Sequence, residues 1–288
     1  MRVGRIESIH RYPVKSMAGE TLDQAELGVG GIPGDRCWAV RDEKRGEISG
    51  AKKFPALMAC GSRLSEPALE GASPPVEITL PDGSLTSTAS PDIGERLSSM
   101  LGHPVSLWPL QPADALDHYR RGPSEGEDME TELRAVFART PDEALPDLGA
   151  FPPELFQFAS PPGTYFDAFP LLLLTTESLA TLQSRAPESR FDARRFRPNF
   201  LVGDVDSEEP FPELAWLGKT LALGEAVVDV VMACPRCVMT THGFDDLAKD
   251  PSIMRALVRE AGGSLGVYAK PRRPGRVRAG DEVHLVQA

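Results

Sequence analysis

Two cysteines three positions apart, Cys234 and Cys237, are the residues of this 288-residue chain whose type and spacing point most directly to chemistry. They lie in the stretch Ala233-Cys234-Pro235-Arg236-Cys237. A thiolate is both a nucleophile and a metal ligand, but a free thiol with a pKa near 8.5 is only about 3% ionised at pH 7. A neighbouring cation raises that fraction, and Arg236 precedes Cys237. The pair follows a predicted strand, so we expect it at a strand end or in a loop, where reactive groups are commonly held.

Residue types and spacing leave four interpretations of this pair open. A structural zinc site needs four ligands, but Cys37 and Cys60 are too far apart for a second pair, and Leu247 stands where a zinc knuckle starting at this pair and His242 needs a cysteine. A thioredoxin-like dithiol needs a following helix, which residues 238–243 do not favour. Buried, inert cysteines fit poorly with a polar Pro-Arg insert. The fourth interpretation is a thiolate that binds a cofactor or a transition metal.

Composition excludes several classes of function. Lys and Arg number 31 against 42 Asp and Glu, a formal net charge of −11, whereas nucleic-acid binding needs a basic footprint. No apolar run approaches the roughly 20 residues of a membrane helix, and the first residues lack the apolar block of a signal peptide. We therefore expect a cytoplasmic protein with no nucleic-acid or membrane partner. Two basic clusters, residues 190–197 and 270–278, are candidates for a small-anion pocket.

The elements that must position these residues are mostly short strands. Alternating apolar residues and turn signals predict strands at 3–9, 36–41, 76–80, 105–108, 200–202, 265–269 and 281–286, and a hairpin of 220–223 with 227–232. Capping residues and apolar spacing predict helices at 129–139, at 176–185 and after Asp250-Pro251. Residues 111–165 are acidic and rich in Pro and Gly, which is typical of a mobile insertion or interdomain connection. The predicted class is mainly β (α+β) with a barrel-like architecture.

The chain resembles the MOSC-domain proteins, named for the C-terminal domain of molybdenum cofactor sulfurases. The matching stretches are Arg195-Phe196-Arg197-Pro198-Asn199-Phe200-Leu201-Val202, the Cys237 segment with Thr240-Thr241, and Gly280-Asp281-Glu282-Val283. Tyr12-Pro13-Val14-Lys15-Ser16 and Gly34-Asp35-Arg36-Cys37-Trp38 resemble the β-rich domain that accompanies MOSC. The resemblance implies a MOSC-associated β-rich domain at 1–115, a connection at 116–165 and a MOSC β-barrel at 166–288.

Relatives with this two-part layout reduce amidoximes and N-hydroxylated bases with a pterin-based molybdenum cofactor, Mo-molybdopterin. The resemblance implies that Cys237 is the catalytic, metal-ligating thiolate and that Cys234 is only a neighbour. Arg can hold the cofactor phosphate through a bidentate fork, and Asn can donate to and accept from the pterin edge. For Thr176 and Ser178 the other interpretation is capping of a helix, and for Tyr268 it is packing in the core. The implied cofactor-binding residues are Lys15, Ser16, Arg36, Thr176, Ser178, Arg197, Asn199, Pro235 and Tyr268.

The chain departs from the family pattern in two places. His242-Gly243 stands where relatives often carry Val-Asp, and His242 could relay protons to a substrate. No cysteine follows Cys237, so we expect electrons from a separate flavin or iron–sulfur reductase. The leading hypothesis is an oxidoreductase acting on N-oxygenated small molecules. The alternatives are a sulfurtransferase that carries sulfur as a Cys237 persulfide and a non-catalytic molybdenum cofactor binding protein.

Overall fold

The computed structural model describes residues 1–123 and 128–286. Its strands are β1 Arg2–Arg11, β2 Glu20–Leu22, β3 Gln24–Leu27, β4 Trp38–Asp42, β5 Glu47–Ser49, β6 Gly61–Leu64, β7 Val76–Thr79, β8 Leu85–Ser87, β9 Val105–Pro109, β10 Leu171–Thr175, β11 Phe200–Gly203, β12 Thr220–Leu223, β13 Ala226–Pro235, β14 Ser264–Arg273, β15 Gly275–Arg278 and β16 Glu282–Leu285. The α-helices are α1 Ile93–Leu101, α2 Leu116–Tyr119, α3 Met129–Phe137, α4 Thr176–Arg185, α5 Ala193–Phe196 and α6 Ser252–Ala261. Short 3-10 helices lie at Pro55–Ala59, Leu148–Ala150, Pro153–Phe156, Pro212–Trp216 and Val238–Thr241.

Seven strands close into a barrel in the order β1-β11-β10-β14-β13-β12-β16, with β16 pairing back to β1. Within the ring β10 and β11 run parallel, and the other neighbours are antiparallel. Apolar side chains that alternate along these strands fill the interior, among them Ile6, Leu171, Phe200, Val228 and Val267. The predicted mainly β class with a barrel is confirmed.

The first strand belongs to the barrel, although it lies far from the other barrel strands in sequence. Ile9 of β1 is opposite Phe200 of β11, and Arg5 is opposite Glu282 of β16. In the rest of the N-terminal part, β2 pairs with β1 and β3 pairs with β15. The sheets β5-β4-β9 and β6-β7-β8 pack with α1 around a second apolar core. The predicted domain boundaries at residues 115 and 165 stay a prediction. Strand β1 belongs to the predicted N-terminal domain in sequence but completes the barrel of the C-terminal one.

The described residues within 111–165 include buried aromatic side chains, which the composition of the segment does not predict. Tyr119, Phe158 and Tyr165 are buried in a small core together with Ala39 of β4 and Ile48 of β5. The predicted helix is present as α3, where the side chain of Asp128 accepts a hydrogen bond from the Thr131 N–H. Among the described residues, no helix is long and apolar enough to span a membrane. The described part of this segment therefore contains short helices and a buried group of side chains.

Candidate active site

Cys237 lies in a cavity of about 380 Å³ between the barrel and the N-terminal sheets. The cavity floor is set by the end of β13, by the α5–β11 connection and by the loops before β4 and β10. Eight of the ten site residues expected from the sequence line it: Lys15, Ser16, Arg36, Arg197, Asn199, Pro235, Cys237 and Tyr268. Residues from three distant parts of the chain are thus brought together at one place.

Cys237 differs from the other three cysteines in being partly exposed. The structure describes all four, and Cys37, Cys60 and Cys234 are buried. Cys237 precedes the short helix Val238–Thr241, and its carbonyl accepts hydrogen bonds from the N–H and hydroxyl of Thr240 at 3.2 and 3.0 Å. These bonds fix the backbone of Cys237 while its thiol stays on the cavity surface.

Cys234 is held by protein groups. It is only 2% exposed, and the Arg236 guanidinium donates to its sulfur at 2.9 Å. Burial raises the pKa of the Cys234 thiol, more than the charge of Arg236 lowers it. A second Arg236 nitrogen donates to the Phe196 carbonyl at 2.6 Å. Arg236 precedes Cys237 in sequence, but its guanidinium donates hydrogen bonds to Cys234 and to the Phe196 carbonyl.

A lysine pair and an aspartate occupy the side of the cavity near Cys237. The Lys15 ammonium donates to Asp167 at 2.7 Å and to the Tyr165 carbonyl at 2.8 Å, and the Lys52 ammonium is 3.6 Å from the same carboxylate. Burial would raise the pKa of Asp167, but the charges of Lys15 and Lys52 outweigh it and lower that pKa. Asp167 raises the pKa of Lys52, and a smaller contribution comes from Cys237. Lys52 is therefore a cation close to the thiol.

Two further lining residues, both arginines, stack on one tyrosine. The guanidinium carbons of Arg197 and Arg36 are 4.1 and 4.7 Å from the ring centroid of Tyr12. Arg36 forms an ion pair with Asp35, and Arg197 donates one hydrogen bond to the Met17 carbonyl at 2.5 Å. The Arg197 Nη2 is buried and has no hydrogen-bond partner in the described part of the chain. Burial, followed by repulsion from Arg36, lowers the pKa of Arg197 from 12.5 to about 10.

Three of these lining residues have a left-handed backbone. Ser16, Arg36 and Arg197 have φ angles of 71°, 47° and 57°. A non-glycine residue seldom adopts this conformation, and such strain tends to concentrate at ligand sites. The Ser16 hydroxyl also accepts a hydrogen bond from the Ala51 N–H at 2.9 Å. The fold thus holds three candidate side chains in orientations that an ordinary strand or helix would not give.

Asn199 lines the cavity, but its amide is already engaged. Its nitrogen donates to Asp35 at 3.0 Å and to the His10 carbonyl at 3.2 Å. Its oxygen accepts from the Leu172 N–H at 3.1 Å and from Arg36 at 3.3 Å. Asn199 therefore orients Asp35 and Arg36.

Tyr268 both packs and lines the cavity, because its ring lies 5.3 Å from that of Phe169 and its hydroxyl interacts with Cys234. His242 does not line the cavity. It is buried, and its Nε2 is hydrogen-bonded to the Ala51 carbonyl at 3.0 Å.

The structure does not bring Thr176 and Ser178 to the cavity. Ser178 is fully buried and donates to Glu213, which Thr175 also contacts at 2.7 Å. Capping of α4 falls to Thr175, whose side chain accepts from the Ser178 N–H. Thr176 instead contacts Glu177 at 3.1 Å. The basic cluster at 270–278 also lies outside the lining, whereas Arg195 and Arg197 of the first cluster are part of it.

Sequence reasoning missed several lining residues. Lys52, Arg121 and Asp167 carry charge in the cavity, and an apolar side is supplied by residues between 129 and 156. Lys52 sits in a Gly-Ala-Lys-Lys stretch with no ligand-like spacing. Within the described residues, no three or more His, Cys, Asp or Glu side chains form a group that could hold a metal ion. Cys237 is thus the cavity's one partly exposed thiol, set among cations.

Comparison with known families assigns both halves of the chain. The model of the MOSC domain matches residues 161–284, and that of the MOSC N-terminal beta barrel domain matches residues 3–105. The chain belongs to the MOSC-domain proteins. Neither model covers residues 106–160, which include the apolar side of the cavity. The MOSC match contributes Cys237 and Arg197 to the site, and the N-terminal match contributes Lys15 and Arg36.

Full-length relatives of this MOSC protein are also known. Human mitochondrial amidoxime reducing component 2 is 28% identical, over 98% of this chain and 84% of the relative. Human mitochondrial amidoxime-reducing component 1 is 25% identical, over 99% of this chain and 84% of the relative. Among solved structures, the YUAD protein from Bacillus subtilis is 15% identical, with a TM-score of 0.45 and coverage of 99% of this chain and 97% of that one.

Proposed function

We propose that this MOSC protein binds a pterin-based molybdenum cofactor and reduces N-hydroxylated small molecules such as amidoximes. The observation that carries the proposal is the shared cavity of Cys237 and Arg197, which sets a partly exposed thiol together with a buried guanidinium nitrogen that lacks a partner among the described residues. The MOSC match and two relatives whose names describe amidoxime reduction support the same function.

The residues present fit such a cofactor. Its phosphate is an anion with several acceptor oxygens, and the cavity lining contains seven Lys and Arg side chains against two acidic ones. The free Nη2 of Arg197 could donate to a phosphate oxygen, and the added negative charge would offset the repulsion between Arg197 and Arg36. A thiolate is a suitable soft ligand for a transition metal. Both ends of the cofactor therefore find complementary groups in one cavity.

Each side chain has a role that follows from its contacts. Cys237 would provide the metal-ligating thiolate. Arg197 and Arg36 would bind the phosphate, while Tyr12 keeps their guanidinium planes in place by stacking. Asn199 is a positioning residue that acts through Arg36. Thr176 and Ser178 of α4 do not line the cavity and have no role in binding the cofactor.

The overall reaction requires two electrons and two protons. The N–O bond of the substrate breaks, the nitrogen takes up one proton to form an N–H, and the hydroxyl oxygen takes up the other and leaves as water. The bound cofactor supplies the two-electron oxygen-removal chemistry, and the protein supplies binding, orientation and charge. A separate flavin or iron–sulfur protein would provide the electrons. Asp167 keeps Lys15 and Lys52 in an ion-paired array that maintains positive charge next to the thiol.

Metal and pterin analysis of protein produced in a host that makes the cofactor tests this function. We expect about one molybdenum and one pterin per chain, and reduction of an amidoxime when a chemical or protein reductant is added. Cys237→Ala should abolish reduction, whereas Cys234→Ala, a matched control three positions away at the end of β13, should retain it. Absence of molybdenum, or a persulfide on Cys237 without metal, would contradict the proposal.

A further inference from the structure

A chain of contacts leads from the protein surface to the Lys15 ammonium in the cavity. It starts at His118 of α2, which is partly exposed and whose Nε2 is 2.7 Å from the Tyr165 hydroxyl. The same hydroxyl donates to the Pro109 carbonyl at 2.8 Å, and the backbone carbonyl of Tyr165 accepts from the Lys15 Nζ at 2.8 Å. Tyr165 therefore connects a histidine at the surface to a lysine that lines the cavity.

The direction of each bond in this chain follows from the groups that make it. A phenol carries one proton, and burial raises the pKa of Tyr165, so its hydroxyl keeps that proton. The Pro109 carbonyl can only accept, so the hydroxyl donates to it and accepts from His118. Burial, followed by the charge of Arg41, lowers the pKa of His118. The imidazole is therefore neutral at pH 7, with its one proton on Nε2.

Packing also restricts the side chain of Tyr165. The residue is fully buried, in the small core that includes Tyr119 and Phe158. Its ring centroid is 5.9 Å from the ring centroids of both Tyr119 and His118. His118 meets Tyr119 edge-on, with the ring centroids 5.0 Å apart. Because the ring and the hydroxyl of Tyr165 are both held, its backbone carbonyl has little freedom to move.

The position of the Lys15 ammonium depends on two acceptors in the loop before β10. They are the Tyr165 carbonyl and, at 2.7 Å, the carboxylate of Asp167. A lysine has a flexible four-carbon stem and three N–H donors, so its charge has no fixed place of its own. These two bonds use two of the donors, and the third is left for a ligand in the cavity. Since the acceptors are two residues apart, a shift of Tyr165 would displace both.

The groups that hold Tyr165 come from a part of the chain that neither matched domain includes. Lys15 lies in the match at 3–105 and Tyr165 in the match at 161–284, whereas Pro109 and His118 lie between them. We infer that His118 is a positioning residue of the cofactor site, which acts through Tyr165 to set the place of the Lys15 ammonium. This inference rests on the proposed function for what Lys15 would bind. The position of the ammonium itself can be tested without the cofactor.

Acetylation of the cofactor-free protein by a limiting amount of acetic anhydride, followed by mass spectrometry, tests this position. His118→Phe keeps an aromatic ring but has no N–H. Because the net contribution of one hydrogen bond corresponds to about fivefold in an equilibrium constant, Lys15 should be acetylated about fivefold faster in this variant than in wild type. The exposed Lys44 serves as the internal reference. His118→Gln, whose amide N–H can replace the imidazole donor, should restore the wild-type rate.

Two tyrosines of the same core separate positioning from a general loss of structure. Tyr165→Phe removes the hydroxyl that holds the chain of contacts together and should speed acetylation of Lys15 at least as much as His118→Phe. Tyr119→Phe is the matched control, because the Tyr119 hydroxyl donates instead to the Gln111 carbonyl at 2.5 Å. Tyr119→Phe should therefore leave the acetylation rate of Lys15 unchanged.

Release of molybdenum and pterin from the loaded protein gives a second readout that does not depend on turnover. Release should be about fivefold faster from His118→Phe than from wild type, and His118→Gln and Tyr119→Phe should match wild type. Equal acetylation of Lys15 in wild type and His118→Phe, an equal rise in Tyr119→Phe, or an unchanged release rate in His118→Phe would overturn the inference and leave the proposed function intact. If wild type binds no molybdenum, the proposed function fails, and the acetylation rates alone decide whether His118 positions Lys15.

Discussion

Replacing Arg197 by methionine removes the positive charge of that side chain and keeps much of its length. Both residues carry a Cβ, so the left-handed backbone at this position is equally strained in each. The pKa of Arg197 is lowered from 12.5 to about 10, and a tenfold change in a protonation equilibrium is about 1.4 kcal/mol. The charged form therefore costs the folded protein about 3 kcal/mol. This cost is present in full at neutral pH and is lost as the pH rises from about 10 towards 12.5.

The variant also loses favourable contacts. The hydrogen bond from Arg197 to the Met17 carbonyl contributes about 1.5–3 kcal/mol, and stacking on Tyr12 about 0.5–1 kcal/mol. These losses nearly cancel the relief of the buried charge. The free energy of unfolding of cofactor-free Arg197→Met should thus lie within about 1 kcal/mol of wild type.

Arg195, two positions earlier, is the matched control. It donates to the carbonyls of Thr240, His242 and Ala248 at 3.3, 2.9 and 2.7 Å. Arg195→Met leaves these acceptors without their charged donor, which should cost about 3 kcal/mol. We therefore expect Arg195→Met to lower the free energy of unfolding more than Arg197→Met does. The Arg195 guanidinium donates to three carbonyls, whereas the Arg197 Nη2 has no partner among the described residues.

Urea denaturation of the cofactor-free proteins, with and without pyrophosphate, measures both effects. Pyrophosphate should raise the denaturation midpoint of wild type through binding to the folded state and should have little effect on Arg197→Met. The reasoning is refuted if Arg197→Met loses as much stability as Arg195→Met. It is also refuted if pyrophosphate stabilises Arg197→Met as much as it stabilises wild type.

Two further predictions follow from the buried titratable groups. Iodoacetamide should alkylate Cys237 before Cys234 in the native cofactor-free protein, because Cys234 is buried with a raised pKa; mass spectrometry that finds Cys234 modified first would contradict this. Burial would raise the pKa of Asp42, but its hydrogen bonds to His103 and Lys53 outweigh burial and lower that pKa from 3.8 to about 2. Asp42→Asn should therefore cost about 2 kcal/mol at pH 7, with the difference lost as the pH falls towards 2; equal denaturation midpoints at pH 7 would show that these bonds do not stabilise the fold.

Sequence reasoning located most of the lining because it used motifs from distant parts of the chain. Spacing around Cys237 left four interpretations open, and the stretches containing Lys15, Arg36 and Arg197 reduced them. The expectation that Thr176 lines the cofactor site was wrong. Two threonines follow each other at the start of α4, and the sequence does not reveal that Thr175 is the one that caps the helix and contacts the buried Glu213. The apolar side chains of α3 that line the cavity have helical spacing, but no local pattern distinguishes a face that borders a cavity from one that borders a core.

Sequence reasoning missed several strands because they are very short or show no alternation between apolar and polar residues. Glu20–Leu22, Glu47–Ser49 and Leu85–Ser87 have three residues each, which is too short for alternation to be recognised. Leu171–Thr175 is buried throughout, so it shows no alternation between apolar and polar residues. Closure of the barrel depends on pairing of β1 with β11 across most of the chain, a long-range contact that local periodicity cannot show.

Molybdenum X-ray absorption spectroscopy on wild type, Cys237→Ser and Cys234→Ser tests the central claim most directly. If Cys237 is the protein ligand of the metal, the Cys237→Ser spectrum should show one fewer sulfur neighbour of molybdenum than wild type, and the Cys234→Ser spectrum should match wild type. An unchanged sulfur count in Cys237→Ser that still contains the cofactor, or loss of a sulfur neighbour in Cys234→Ser instead, would contradict the account.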